Sequence, residues 1–240
     1  MLIAFEGIDG SGKNTQARKL QIRLTEAFDK ALQTKPREEC DFTGCSLFSF
    51  PTYDTSVFGP HVRRYLRGDM GPLNANDPFL TSLLYAIDRY ENRDSLQHLM
   101  DNRVLVVCDR YVPSNIAHQC AKEPPQRRRQ LARYIEATEY GVFRMPEPTM
   151  VILLDLTAEQ SFHRTHERDD QPDLHQDSLD YMARVRKVYL ELADTYARWH
   201  LVKCFDDEGK DRSVEEIHYE IWKIVSAART ETFSRTPFAP

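Results

Sequence analysis

Apolar residues along the chain recur in two alternating patterns. Residues 2–5 form a short unbroken apolar run that reads as a strand, and after a glycine-rich turn Ala17, Leu20, Leu24 and Ala27 recur at spacings of three and four, the period of a helix with one buried face. The stretch "TKPREECDFTGC" is polar and reads as a surface loop before a second strand-like run, "SLFSFP", which Pro51 ends. Helical spacing returns at about residues 57–67, breaks in "GDMGPLNANDP", and resumes over 79–100, with Asp77 placed as a cap and Pro78 suited to a first turn. Residues 104–108 and the segment "TMVILLDL" are continuous apolar runs, the signature of strands covered on both faces, and "HLVKCF" is a weaker version. Further helices are predicted at about 126–140, 179–199 and 214–228.

Strands alternating with helices predict an α/β fold with a parallel, doubly wound five-stranded sheet flanked by helices, whose ligands collect at the carboxyl ends of the strands. The glycine-rich turn, "FP" and "DRY" all fall at such ends. One domain is expected over 1–228. The remainder, 229–240, carries two prolines without periodicity and reads as a tail that is mobile or docked elsewhere.

With 240 residues, 41% of them hydrophobic, the chain can bury one sizeable core. Its formal charge of −5 argues against nucleic acid as a partner, so any bound anion must be held by a local arrangement. The run "RRRQLAR", Arg127 to Arg133, lacks glycine or interleaved aromatics and reads as a solvated helix face. Five scattered cysteines, Cys40, Cys45, Cys108, Cys120 and Cys204, fit neither a zinc site nor a disulfide framework and suit a reducing compartment. The start "MLIAFEG" has no basic lead and no long apolar run, so a cytoplasmic protein without a membrane span is expected.

The chemistry enters with "FEGIDGSGKNTQ". Gly7, Gly12 and Lys13 match a phosphate-binding loop between strand and helix, in which backbone N–H groups, the helix dipole and a lysine hold a nucleoside triphosphate. The expected triphosphate site comprises Gly7, Ile8, Asp9, Gly10, Ser11, Gly12, Lys13, Asn14 and Thr15. Asn14 occupies the position where a Ser or Thr hydroxyl usually ligates Mg²⁺; its carboxamide oxygen is a hard acceptor that suits the ion directly or through water. Thr15, about 100° further round the helix, is better placed for an α-phosphate oxygen.

Five separated motifs, "FEGIDGSGKNTQ", "FPTYDTS", "YAIDR", "DRYVPSNIAHQ" and "VRKVYLELA", stand in the order found in the thymidylate kinase family, and from Met1 to about Ile224 the chain resembles that family. The resemblance implies a P-loop NTPase fold with a lid, transfer of a phosphoryl group from ATP to dTMP, Mg²⁺ as the metal, and a homodimer. It places Asp9 near the sugar 3′-hydroxyl and acceptor phosphate, Tyr85 stacked on thymine with Arg89 donating to a carbonyl edge, Asp109 on magnesium waters, and Arg110 as a clamp on the acceptor phosphate. Phe50, Tyr53, Ser114, Asn115 and His118 are implied to complete the dTMP site, with Asn115 at the base edge and His118 near the sugar. Arg164 and Arg168, one turn apart in a lid at about 164–176, are implied to meet the transferring phosphoryl group, so that Lys13, Asp109, Arg110, Arg164 and Arg168 form the catalytic set.

Several positions depart from the family pattern. Tyr85 stands where Phe is frequent, His118 where an aromatic ring is usual, Gln176 where some members carry Glu, and no arginine lies between Phe50 and Val62. Two other readings follow. A deoxynucleoside kinase also begins its loop with "FEG" but needs a carboxylate base near "FP", where Asp54 is the nearby candidate. A nucleotide-binding sensor or assembly protein that has lost catalysis would explain the departures together.

Overall fold

The computed structural model describes residues 1–168 and 178–233, and their side chains except at 74, 168 and 229–233. Five strands, β1 (Leu2–Glu6), β2 (Gly44–Ser49), β3 (Val104–Asp109), β4 (Met150–Asp155) and β5 (Trp199–Lys203), pair in parallel in the order β2-β3-β1-β4-β5. The central position of β1 explains its lack of alternation: Ala4 lies opposite Cys108 on one side and Val151 on the other, and residues 2–6 are buried throughout. On one face α1 (Lys13–Thr34) covers β1, β2 and β3 and packs on α9 (Val214–Phe233), which covers β5. The remaining helices are α2 (Gly59–Leu66), α3 (Pro78–Tyr90), α4 (Arg93–Asp101), α5 (Val112–Cys120), α6 (Pro125–Glu136), α7 (Ala158–Arg168) and α8 (Leu179–Thr195). Of these, α4 packs on β3, α8 on β4 and β5, and α5 is wedged among α3, α6 and α8. One buried cluster runs from Leu2 to Val225, and each large apolar side chain it removes from water contributes about 1.5–3 kcal/mol.

The strand-helix alternation matches the sequence pattern, while several boundaries do not. The helix expected over 79–100 is two, because Glu91 turns aside to accept from Val57 N at 2.6 Å and Phe58 N at 2.9 Å, and Asn92 folds back onto Asp88 O at 3.1 Å. Asp77 does cap α3, accepting from Phe79 N at 2.8 Å, with Pro78 in the first turn. The expected helix over 179–199 ends at Thr195, and Trp199 instead opens β5. α6 passes at Ala137–Val142 into a wider π-helical turn. The polar stretch before β2 is not purely surface: Cys40 and Phe42 are buried, Phe42 lies 5.6 Å from the Phe28 ring, and Arg103 ties down the carbonyls of Arg37, Glu38 and Cys40. The final helix continues to Phe233, past the expected boundary at 228, while 234–240 lie outside the described residues.

Candidate active site

The glycine-rich turn between β1 and α1 has a backbone that side chains do not readily follow. Gly7 has φ 141°, and a Cβ added there would meet Leu154 O at 2.5 Å; Gly10 and Gly12 have φ 73° and 88°. Ile8 is buried in the core and its carbonyl accepts from Lys13 Nζ at 2.8 Å; Ser11 is buried too. Burial lowers the Lys13 ammonium to about 8, with the Arg110 charge adding to that and Asp9 and Asp109 opposing it. A cleft over this turn is lined by Asp9, Gly10, Gly12, Lys13, Asn14, Thr15, Asp109, Arg110 and Arg164.

Directly beyond Asp109, Arg110 takes φ 64°, in the left-handed region, while its N–H remains bonded to Phe5 O at 3.0 Å. That kink turns the chain from β3 towards α5 and brings the guanidinium back over the loop. There it pairs with Asp9 and donates to Gly7 O and Ser114 Oγ at 3.3 Å each, with His118 Nε2 at 3.4 Å. Burial works against its charge, but Asp9, aided by Tyr189, Asp109 and Glu6, lifts the guanidinium above its ordinary value. The Asp9 main chain is pinned from α7, its carbonyl accepting from Ser161 Oγ at 2.6 Å.

A second pocket lies on the far side of the Asp9–Arg110 pair. Its walls include all nine expected acceptor-site residues, Asp9, Phe50, Tyr53, Tyr85, Arg89, Arg110, Ser114, Asn115 and His118, together with Pro51, Leu66 and Gln119. Asp9 and Arg110 therefore line both cavities. Arg89 is buried and makes a two-pronged contact with Glu139; burial alone would lower its guanidinium, but that carboxylate holds it above its ordinary value. Asn115 donates to Ser82 O and Glu139 Oε1 at 2.9 Å each.

Other expectations meet mixed outcomes. Asn14 donates its Nδ2 to Asp109 Oδ2 at 3.1 Å while its Oδ1 accepts from Arg18 Nε at 3.0 Å, so both side chains stand at the edge of the triphosphate cleft with the carboxylate as the readier oxygen donor. No group of three or more His, Cys, Asp or Glu side chains suited to a metal occurs among the described residues. The pair fits Mg²⁺ bound mainly by water and phosphate oxygens, as that ion prefers. Arg164 reaches Gly10 O at 3.0 Å and pairs with Asp211 at 2.7 Å. The Arg168 side chain, Gln176 and lid residues 169–177 lie outside what is described. Asp54 is 78% exposed, paired with Arg63, and absent from the acceptor pocket, a poor position for a base acting on a hydroxyl. The segment lacking an arginine gains one from α2, for Arg63 stacks 5.1 Å from the Tyr53 ring.

The sequence reading missed Glu6, Glu139 and Gln119. Glu6 lies wholly buried at the end of β1, accepting from Tyr111 N at 2.8 Å and Tyr189 OH at 3.0 Å and from Ser114 Oγ. Burial raises its carboxyl to about 7 despite these contacts and Arg110. Gln119, four residues after Asn115 on one helix, had a usable signal in that spacing; Glu139, in a different element, had none.

A parallel sheet with a phosphate loop after its central strand, and two clefts meeting over that loop, defines a P-loop nucleotide-binding protein with a second binding pocket beside its triphosphate cleft. Within that class the chain belongs to the thymidylate kinase family, whose model matches residues 5–221. It is 29% identical over 217 residues to thymidylate kinase of Mycobacterium tuberculosis, covering 88% of this chain and 94% of that protein. It is 28% identical over 224 residues to probable thymidylate kinase of Pyrococcus abyssi, covering 93% and 94%. The solved structure of thymidylate kinase from Candida albicans has the same fold, with a TM-score of 0.72 at 20% identity, covering 95% of this chain and 92% of that one.

Proposed function

We propose that this protein transfers a phosphoryl group from ATP to dTMP, giving dTDP and ADP, with the triphosphate in the loop cleft and dTMP in the adjoining pocket. The observation that carries this reading is the Asp9–Arg110 pair shared by both cavities. An acceptor phosphate on one side and a γ-phosphate on the other would meet there. The acceptor is already an anion, so one of its oxygens attacks the γ-phosphorus in line while the bond to the ADP oxygen breaks. No side-chain nucleophile is needed, and alignment and charge neutralisation supply the rate.

In this mechanism Lys13 leaves the Ile8 carbonyl for the β and γ groups, Arg110 clamps the acceptor phosphate, and Arg164 and Arg168 neutralise the charge that spreads over the equatorial oxygens. Tyr85 stacks on the base, Arg89 and Asn115 read its edge, and Phe50, Tyr53, Ser114 and His118 enclose the rest. Mg²⁺ is assigned to Asn14 and Asp109, partly through water, where it would offset phosphate charge. The working unit is one domain over 1–228 in a cytoplasmic homodimer. No described helix is long and apolar enough to cross a membrane, and the 68%-exposed Leu80 on α3 and 72%-exposed Val57 offer apolar surface for a second copy. Light scattering of the purified protein checks the dimer.

The deciding experiment is a steady-state assay comparing dTMP with dUMP, dCMP, dGMP and UMP. The reading predicts the highest kcat/KM for dTMP. Turnover of thymidine but not dTMP would assign a deoxynucleoside kinase, and binding of ATP and dTMP without dTDP formation would assign a sensor.

A further inference from the structure

The arginine that lines the triphosphate cleft from α7 is held from two sides. Arg164 Nη1 donates to Gly10 O at 3.0 Å, and Nη2 lies 2.7 Å from Asp211 Oδ2 in an ion pair. Its stem rests on the glycine turn, for a Cβ added at Gly10 would come within 3.3 Å of Arg164 Cβ. Asp211 is held in turn, because Gln160 Nε2 donates to its Oδ1 at 2.9 Å and to Gly209 O at 3.1 Å. The amide of Gln160 is oriented from the start of the helix. Its Oε1 accepts from Thr157 N at 3.3 Å, while Thr157 Oγ1 accepts from Gln160 N at 3.2 Å. This reciprocal pair is a capping box that opens α7, and it turns the Gln160 nitrogen towards Asp211. Gln160 and Arg164 stand one turn apart and share a helix face.

The loop that carries Asp211 is anchored as well. Phe205 bridges to Asp211 across a turn in which Asp206 Oδ1 accepts from Glu208 N at 3.0 Å and Lys210 N at 2.9 Å. At its base Cys204 N is bonded to Asp155 O at 2.8 Å, at the carboxyl end of β4. Asp211 is nevertheless 53% exposed. An ion pair so open to water contributes little to stability, so the ring of contacts around it is better explained by the guanidinium it aims.

We propose that Asp211, itself set by Gln160, is a positioning residue that holds the Arg164 guanidinium over the phosphate loop before the triphosphate arrives. An arginine left free at the rim would lose its rotamer freedom on meeting the nucleotide, a cost of about two- to tenfold in affinity that Asp211 removes in advance. The pair occupies only part of the guanidinium. Among the described residues Arg164 Nε makes no hydrogen bond, and its N–H stays available to a phosphate oxygen. The sign of the charge separates position from field. By charge alone a carboxylate beside the cleft repels a triphosphate and its removal would strengthen binding, so weaker binding can come only from lost position. The inference rests on the triphosphate cleft proposed above and not on the identity of the acceptor.

The test is a double-mutant cycle on the full chain. Calorimetry measures affinity for the magnesium complex of the β,γ-imido analogue of ATP in the wild type, Asp211→Ala, Arg164→Ala and the double variant. Asp211→Ala is expected to weaken binding about fivefold beside Arg164 and not to weaken it in the Arg164→Ala background. Gln160→Leu, which frees the carboxylate without touching the cleft, should fall between wild type and Asp211→Ala. Thermal midpoints report on folding, and Asp211→Asn, which keeps the shape and loses the charge, carries the same cycle should the alanine variant not fold. Equal losses in both backgrounds would make Asp211 a prop for its own loop and overturn the inference. Tighter binding in Asp211→Ala would overturn it too, by showing that the pair parks Arg164 away from the nucleotide. A wild type that does not bind the analogue would instead overturn the cleft assignment, and an acceptor other than dTMP leaves the cycle unchanged.

Discussion

Asn14 donates its side-chain amide to Asp109 at 3.1 Å, joining the first turn of α1 to the carboxyl end of β3. Its other end is also taken, for Arg18 Nε donates to Asn14 Oδ1 at 3.0 Å. The oxygen that would serve Mg²⁺ is therefore shared with a cation one turn away, a competition that a threonine hydroxyl would not face in the same form. Asn14→Thr is expected to lower the Mg²⁺ concentration giving half-maximal rate, and Arg18→Ala to do so more weakly. Titration of Mn²⁺ into the ADP complex, followed by electron paramagnetic resonance, should show tighter metal binding in the same order. Unaltered metal binding in both variants would remove Asn14 from the metal site.

Arg110 is tested by the conservative change. Its guanidinium serves Asp9, Gly7 O, Ser114 Oγ and the His118 ring at once, a fan of contacts that a lysine ammonium cannot reproduce. Arg110→Lys keeps the charge and loses the planar fork. In the proposed mechanism kcat/KM for dTMP falls by about two orders of magnitude, while the ATP affinity changes little. A fall confined to ATP binding would place Arg110 on the donor side instead.

The loop and the two strand ends were legible because each is local, a glycine pattern or an unbroken apolar run, whereas the acceptor-pocket residues were implied by the family resemblance rather than by any period. What was not legible came from contacts distant in sequence. Glu91 ends α3 early because it caps residues 34 and 33 positions before it, and nothing in the apolar spacing of 79–100 records that. Trp199 continues an apolar pattern that suits a helix, yet it pairs with Val151 as the first residue of β5, so sheet pairing overrides propensity. Glu139 lies 50 residues from Arg89 and 24 from Asn115 and meets both within the π-helical turn after α6, where the register departs from the helix period.

Glu6 predicts a pH dependence of stability. Burial raises its folded-state carboxyl from 4.5 to about 7, against the pull of Ser114, Arg110, Tyr189 and the Tyr111 N–H. Because the folded value lies above the unfolded one, the folded state holds its proton more tightly, and this contribution to stability is lost as pH rises from 4.5 towards 7. Integrated over that window the loss is about 3 kcal/mol. Glu6→Gln removes the titration, so urea unfolding at pH 5 and pH 8 should show wild type losing stability relative to the variant at the higher pH. A wild-type advantage that grows with pH would refute it.

His118 sets the last expectation. The family pattern favours an aromatic ring here, which makes His118→Tyr the obvious repair for selection against a 2′-hydroxyl. The surroundings argue otherwise. Tyr181 and Tyr189 already crowd the imidazole, with ring centroids at 6.1 and 6.3 Å, and Tyr181 OH lies 3.3 Å from Nδ1 while donating to the His118 carbonyl at 2.9 Å. His118 is buried between those two tyrosines and the acceptor pocket, so a phenol ring there must either push on the tyrosines or fill part of the pocket. Overpacking of this kind costs about 1–3 kcal/mol, so the single variant should melt lower than wild type. Pairing it with Tyr181→Phe removes the hydroxyl in its path and should recover part of the loss. The double variant is then the proper background for comparing dUMP with UMP, and full stability in His118→Tyr alone would show that the pocket has room to spare.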